Sequence, residues 1–95
     1  MIHILARISA KPEASAQVRA ALLELLAKTR AEDGCLRYDL YQCSEAPQLF
    51  QTVEEWRDAG CADAHMKTAH VAAAFAVAGP LLAMAPEIQA FEKVG

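Results

Sequence analysis

Apolar and polar side chains alternate along four segments of the chain, and an alternation of period two is typical of β-strands. The turn of residues 44–47 separates the middle two segments, so we expect these strands to pair as an antiparallel hairpin. In the second segment, Leu36, Tyr38 and Leu40 share one face. In the third segment, one face combines aromatic and polar side chains, namely Phe50, Thr52, Glu54 and Trp56. The predicted strands cover residues 2–10, 35–43, 48–56 and 87–93.

The segments between these strands carry helical signals. Residues 13–31 repeat apolar side chains at steps of three and four, which predicts one long amphipathic helix that ends before Gly34. Asp58 is the predicted N-cap of a helix over 59–66, and Thr68 is the predicted N-cap of a second over 69–78. We expect one more short helical turn at residues 81–85.

The element order is strand, helix, strand, strand, helix, strand, and it extends over one domain of 95 residues. This order predicts an α+β, ferredoxin-like βαββαβ fold, with a four-stranded antiparallel sheet and helices on one face. The other face retains Leu, Val, Tyr and Phe side chains, so we expect two sheets to pack face to face in a homodimer. The alternative is a monomer with a mixed outer face.

Composition narrows the range of partners and compartments. The chain has 9 Lys and Arg against 12 Asp and Glu, a net charge of -3, and lacks the clustered basic residues that a nucleic-acid-binding protein needs. No apolar run is long enough to span a membrane, and the first residues lack the pattern of a signal peptide, which favours a cytoplasmic location. The three cysteines are widely spaced, which indicates free thiols.

Cofactor motifs are missing from the sequence. The chain has no Walker A loop, no glycine-rich dinucleotide fingerprint and no nucleophile-elbow pattern, which removes nucleotide-dependent chemistry from the leading interpretations and makes metal or haem chemistry a minor one. It also has no His-Glu-x-x-His motif and no set of two histidines and one carboxylate at a recognisable sequence spacing. We therefore expect no cofactor and no metal.

Glu54 and His65 are the leading candidates for chemistry. Glu54 shares a strand face with Phe50 and Trp56, so its charge must be paired, hydrogen-bonded or neutralised if that face is buried. It either holds His65 or a helix end in place, or it takes part in substrate binding or proton transfer. His65 is expected to point toward the sheet, where it serves as a general base or as a core histidine that joins helix to strand.

Other polar and aromatic residues have two interpretations each. Tyr38 and Trp56 either pack in the core or form the wall of a pocket for an aromatic ligand. Arg30 either marks a solvated helix end, as Glu32 does, or binds an acidic group of a substrate. His70 follows a helix break at Thr68, so the sequence does not place it on one face with His65.

Residues 29–38, Thr-Arg-Ala-Glu-Asp-Gly-Cys-Leu-Arg-Tyr, resemble the Arg-x-Glu-x-Gly-Cys-x-x-Tyr segment of the antibiotic biosynthesis monooxygenase family. The run Glu-Glu-Trp-Arg-Asp at 54–58, His65, and Thr-Ala-His at 68–70 extend the resemblance. It implies a dimeric α+β barrel with a cavity between sheet and helices. The family includes cofactor-independent quinol or anthrone monooxygenases, haem-degrading enzymes and an isomerase of a phosphorylated autoinducer. The haem-degrading enzymes use an asparagine, and this chain has none.

The resemblance favours a cofactor-independent monooxygenase that oxidises a small aromatic or quinol-type substrate with O2. On this interpretation His65 is the base, Glu54 orients it, and Tyr38 donates a hydrogen bond to a substrate oxygen. The expected substrate-binding residues are Trp56, His70, Phe50 and Arg30. Two alternatives remain: an isomerase of a small hydroxy-ketone, and a dimer that binds a small molecule without catalysis.

Overall fold

The computed structural model describes all 95 residues. In chain order the elements are β1 (Ile2–Ser9), α1 (Ser15–Thr29), β2 (Cys35–Gln42), β3 (Leu49–Trp56), α2 (Ala59–His65), α3 (Ala69–Ala78) and β4 (Glu87–Phe91). The strands form one antiparallel sheet of order β2-β3-β1-β4, which confirms the α+β, ferredoxin-like fold. Short 3-10 helices at Pro12–Ala14 and Gly79–Leu81 precede α1 and follow α3.

The predicted helix boundaries are confirmed by their caps. The Asp58 carboxylate accepts from the Cys61 amide at 2.9 Å, and the Thr68 hydroxyl accepts from the Val71 amide at 3.3 Å. Gly34 has a φ of 79°, the left-handed conformation that favours glycine. A Cβ atom at this position would also lie 2.8 Å from the Cys61 Cβ, so the turn after α1 requires glycine for two reasons.

Two local predictions are wrong. The helical turn expected at 81–85 lies earlier, at Gly79–Leu81, because the fixed φ of Pro80 suits the first turn of a helix. Leu36 does not share the inward face of Tyr38, and it is 56% exposed. The reason is an irregularity in the pairing of β2 with β3 between Cys35 and Arg37, which leaves Leu36 unpaired.

The core lies between the sheet and helices α1 and α3. The predicted inner face of β3 is confirmed, since Phe50, Thr52, Glu54 and Trp56 are all buried. Around Phe50, aliphatic side chains from β1, α1 and α3 close the interior at one end of the sheet. The buried cluster consists of Ile8, Ala10, Val18, Leu22, Leu25, Phe50, Val71 and Ala74.

The outer face of the sheet has no helix over it and mixes apolar and polar side chains. Leu5 and Val53 are cross-strand partners there, and both are half-buried. Tyr41 and Phe91 are 52% and 46% exposed.

All three cysteines are free thiols, as expected. Of the helices, none combines the length and the apolar character that crossing a membrane requires.

Candidate active site

A cavity of about 180 Å³ lies between the inner face of the sheet and the helices. Apolar side chains from β1, α1, α2, α3 and β4 form most of its wall. The polar and aromatic side chains that could bind or react with a ligand lie on one side of the cavity, where strands β2 and β3 meet helix α2. The residues of this side are Tyr38, Thr52, Glu54, Trp56, Asp63 and His65.

Glu54 is 5% exposed, and both of its carboxylate oxygens are hydrogen-bonded within its own strand. The Thr52 hydroxyl donates to Oε2 at 2.7 Å, and the Trp56 indole N–H donates to Oε1 at 3.0 Å. Residues two apart on a strand share a face, so β3 itself supplies both donors. These bonds compensate for the burial of the carboxylate. The expectation that Glu54 orients His65 is corrected, because Thr52 and Trp56 are the partners of Glu54 and no hydrogen bond joins Glu54 to His65.

The partner of His65 is Glu32. The Nδ1 atom of His65 lies 2.6 Å from Oε2 of Glu32, in the turn between α1 and β2. The imidazole ring is 4% exposed, and its centroid lies 4.8 Å from the Trp56 ring and 5.6 Å from the Tyr38 ring. The sequence-based expectation for Glu32 is a solvated helix end, and the structure corrects it. Glu32 is the glutamate of the segment at 29–38 that resembles the family, and this resemblance is the one signal in the sequence that points to a role in the site.

His70 contacts the same carboxylate. Its Nε2 lies 2.8 Å from Oε2 of Glu32, the same oxygen that contacts His65. An ionised carboxylate oxygen can only accept, so the hydrogen-bond network assigns a proton to Nδ1 of His65 and to Nε2 of His70. When neutral, His65 then has its lone pair on Nε2.

Two polar atoms on the cavity wall have no protein partner. Neither Nε2 of His65 nor the Tyr38 hydroxyl makes a hydrogen bond within the chain. Neither atom is fully buried, because the only fully buried side-chain nitrogen or oxygen without a partner is Oγ1 of Thr29. Both atoms therefore retain access to the cavity. Burial, reinforced by the charge of Glu54, raises the pKa of Tyr38, so its hydroxyl remains a hydrogen-bond donor at neutral pH.

Three of the expected substrate-binding residues do not line the cavity. Phe50 is enclosed in the core cluster, and His70 faces a groove between α1 and α3. Arg30 donates to the Tyr38 carbonyl at 2.9 Å and to Asp39 at 3.0 Å, so it is held on the outside of β2. Trp56 does line the cavity, but its N–H is taken by Glu54, which leaves the indole as an apolar wall.

Only one cluster in the chain has the residue types and spacing for a metal ion. The ligand atoms of Glu32, His65 and His70 lie within 4.8 Å of one another. The sequence did not predict this set, because Glu32 is 33 residues from His65 along the chain.

Comparisons with known proteins give one consistent result. The family model described as antibiotic biosynthesis monooxygenase matches residues 1–77. A Mycobacterium tuberculosis protein named "putative monooxygenase" is 35% identical over 81 residues, which span 85% of this chain and 79% of that protein. A Bacillus subtilis protein, also named "putative monooxygenase", is 33% identical over 70 residues, or 74% of each chain.

Solved structures agree with these matches. A crystal structure of an antibiotic biosynthesis monooxygenase superposes with a TM-score of 0.94 and 30% identity, and the match covers both chains completely. A structure from Pseudomonas aeruginosa has a TM-score of 0.89 and 31% identity, covering 99% of this chain and 94% of that one.

Proposed function

The chain belongs to the antibiotic biosynthesis monooxygenase family, and we propose that it is a cofactor-independent monooxygenase that oxidises a small, neutral, single-ring quinol with O2. One observation carries the proposal. His65 is bound through Nδ1 to Glu32, its Nε2 has no partner in the chain, and its ring lines a mainly apolar cavity together with the Tyr38 ring, 5.6 Å away between centroids. This arrangement provides a base and a hydrogen-bond donor on the wall of a mainly apolar cavity.

His65 is the general base in this proposal. Nε2 accepts the proton of a quinol hydroxyl, and the imidazolium that forms lies 2.6 Å from the carboxylate of Glu32. Glu32 is the positioning residue, because its acceptor oxygen selects the tautomer with a lone pair on Nε2 and stabilises the positive charge. A positioned base contributes about 10²–10⁴-fold to the rate of such a step.

The quinol itself supplies the electrons. After deprotonation its anion passes one electron to O2, and the resulting radical pair combines at a ring carbon to form a hydroperoxide. The O–O bond then breaks with loss of water, which leaves one oxygen atom on the ring as part of a hydroxyquinone. The two hydrogens lost from the quinol leave in that water. The Tyr38 hydroxyl donates a hydrogen bond to the oxygen on which negative charge develops.

Cavity size and charge restrict the substrate. An apolar cavity of about 150 Å³ accommodates benzene, so a cavity of about 180 Å³ suits one ring with small substituents. No lysine or arginine lines it, and its carboxylates are Glu54 and Asp63. A phosphorylated or carboxylated ligand would therefore have no counter-charge in the cavity. This favours a neutral quinol over the phosphorylated hydroxy-ketone of the isomerase alternative.

The proposal includes a homodimer. The exposed outer face of the sheet, with Leu5, Tyr41, Val53 and Phe91, would be covered by the same face of a second copy. Light scattering after size exclusion should give twice the mass of 10.3 kDa. A mass of one chain would contradict this part of the proposal.

Oxygen consumption tests the reaction directly. We expect uptake with single-ring quinols, weaker uptake with three-ring anthrones, and a product heavier by one oxygen atom than the corresponding quinone. His65→Gln should lower kcat by about a hundredfold or more, since the base is removed. The control is Glu24→Gln, because Glu24 is exposed on α1 and lies neither in the cavity nor on the outer face of the sheet.

Three results would contradict the monooxygenase. The first is hydrogen peroxide with no oxygenated product, which would indicate an oxidase. The second is turnover without oxygen, which would favour the isomerase. The third is the absence of uptake with every quinol, which would favour the non-catalytic binding protein.

A further inference from the structure

We propose that Glu32, His65 and His70 form a binding site for a divalent transition-metal ion of the zinc type, with one ion bound per chain. The three ligand atoms are Oε2 of Glu32, Nδ1 of His65 and Nε2 of His70, and all lie within 4.8 Å of one another. They converge from three different parts of the fold, and the two imidazoles approach the carboxylate at 2.6 and 2.8 Å.

The break between α2 and α3 creates this convergence. In one continuous helix, side chains five residues apart would point about 140° apart. Instead α2 ends at His65, and Thr68 starts α3 by accepting from the Val71 amide while its hydroxyl donates to the His65 carbonyl at 2.8 Å. The new helix direction brings His70 to the same carboxylate as His65.

The donor set determines the class of metal. Two imidazole nitrogens and one carboxylate oxygen suit zinc and its neighbours in the first transition row, whereas calcium and magnesium prefer oxygen ligands. Three protein ligands leave a fourth tetrahedral position for water, as in open zinc sites. One carboxylate also partly neutralises the charge of the ion.

Metal binding requires a rearrangement of the three ligands. Ligand atoms of a tetrahedral ion with bonds of about 2.0–2.1 Å lie about 3.3 Å apart. The carboxylate oxygen, now 2.6 and 2.8 Å from the two nitrogens, must therefore withdraw by about half an ångström, and the two nitrogens, which lie within 4.8 Å of one another, must approach the ion from either side. Glu32 lies in the turn between α1 and β2, where no helix or strand holds it, and its Oε1 has no partner in the chain. The carboxylate can therefore withdraw while Tyr38 and Trp56 keep the His65 ring in place.

The same ion would change the chemistry of His65, and this consequence rests on the proposed function. A neutral imidazole that binds metal through Nδ1 carries its proton on Nε2, so the atom at the cavity becomes a donor. Metal binding and base catalysis then exclude one another. The outer nitrogens of the two rings have no carboxylate partner, so we expect micromolar rather than nanomolar affinity.

Calorimetric titration of the chelator-treated full chain with zinc chloride tests the site without any quinol. We expect one ion per chain for the wild type, and affinity lower by about tenfold or more for Glu32→Gln and for His70→Gln. Glu24→Gln and His3→Gln are matched controls, because Glu24 is exposed on α1 and His3 lies on the opposite face of the sheet. Zinc should also raise the Tm of the wild type but not that of His70→Gln.

Thiols are the competing zinc ligands, since Cys35, Cys43 and Cys61 are free. Cobalt, used as a spectroscopic probe in place of zinc, distinguishes binding to a thiol from binding to Glu32, His65 and His70. We expect no thiolate-to-cobalt charge-transfer band, because the proposed site has no sulfur ligand. The proposal is overturned by a strong band of that kind, by the lack of saturable zinc binding, or by unchanged affinity in both Glu32→Gln and His70→Gln. Each of these results is independent of whether the protein oxidises a quinol.

Discussion

Glu32 and His65 are 33 residues apart in the chain, yet Oε2 of one lies 2.6 Å from Nδ1 of the other. The bond joins the turn after α1 to the end of α2. It engages Nδ1 of the imidazole and leaves Nε2, the other ring nitrogen, without a partner. It therefore determines which nitrogen of His65 faces a bound molecule, and most of the chemistry proposed for the site depends on it.

Glu32→Gln tests this relationship in the oxygenase reaction. A glutamine amide can donate to Nδ1, which would move the proton of His65 to Nε2 and remove the base from the cavity side. We expect kcat to fall by about tenfold or more, with a smaller change in KM. Proton-coupled nitrogen NMR of the histidine rings should show the tautomer change, whereas Glu24→Gln should leave both the spectrum and kcat unaltered. An unchanged tautomer in Glu32→Gln would contradict the positioning role.

Tyr38→Phe removes the hydroxyl without changing the ring. If that hydroxyl donates to the developing oxyanion, its loss should reduce kcat by about 10²–10³-fold. The fold should be retained, because the hydroxyl makes no hydrogen bond within the chain. Oxygen uptake together with circular dichroism checks both statements. A variant as active as the wild type would show that Tyr38 serves only as a wall.

The raised pKa of Tyr38 also predicts how stability changes with pH. Above about pH 10 the tyrosine of the unfolded chain ionises, while the buried phenol of the folded protein keeps its proton. The unfolded state then binds fewer protons, so the free energy of unfolding falls as pH rises through this range. Urea unfolding at several alkaline pH values should show this loss in the wild type and a smaller loss in Tyr38→Phe. Equal losses in both would contradict the assignment.

Thr52→Val removes one of the two donors to the Glu54 carboxylate. Leaving Oε2 buried without its partner should lower the free energy of unfolding by about 1–3 kcal/mol. Thr29→Val is the matched control, since the Thr29 hydroxyl is buried and has no partner, so its removal should be neutral or stabilising. Chemical denaturation measures both, and equal destabilisation of the two variants would count against the role of Thr52.

Gly34→Ala should destabilise the turn that carries Glu32. A left-handed conformation costs a residue with a Cβ about 1–2 kcal/mol, and the new atom would also press on the Cys61 side chain. We therefore expect a loss of about 2 kcal/mol or more in the free energy of unfolding. Gly79→Ala is the control, because a Cβ there meets nothing within 4 Å. Similar stability of the two variants would contradict the argument.

Patterns local to the chain determined the elements and their inward faces. The alternation of apolar and polar positions predicted that Glu54 and Trp56 share one face of β3, and that face is buried. The N-caps Asp58 and Thr68 could be predicted from the sequence because capping depends on a few adjacent residues. The same alternation predicted the wrong face for Leu36, because an irregularity in the pairing of β2 with β3 shifts the alternation by one residue at this point.

Only the tertiary structure decided the partners of the charged side chains. From the sequence, Glu54 is the expected partner of His65, but its own strand neighbours Thr52 and Trp56 donate to its oxygens, and His65 binds Glu32 instead. Glu32 joins His65 and His70 because the turn after α1 and the break before α3 meet in space. Such contacts depend on how loops close over long separations, and periodicity and composition carry no information about that geometry.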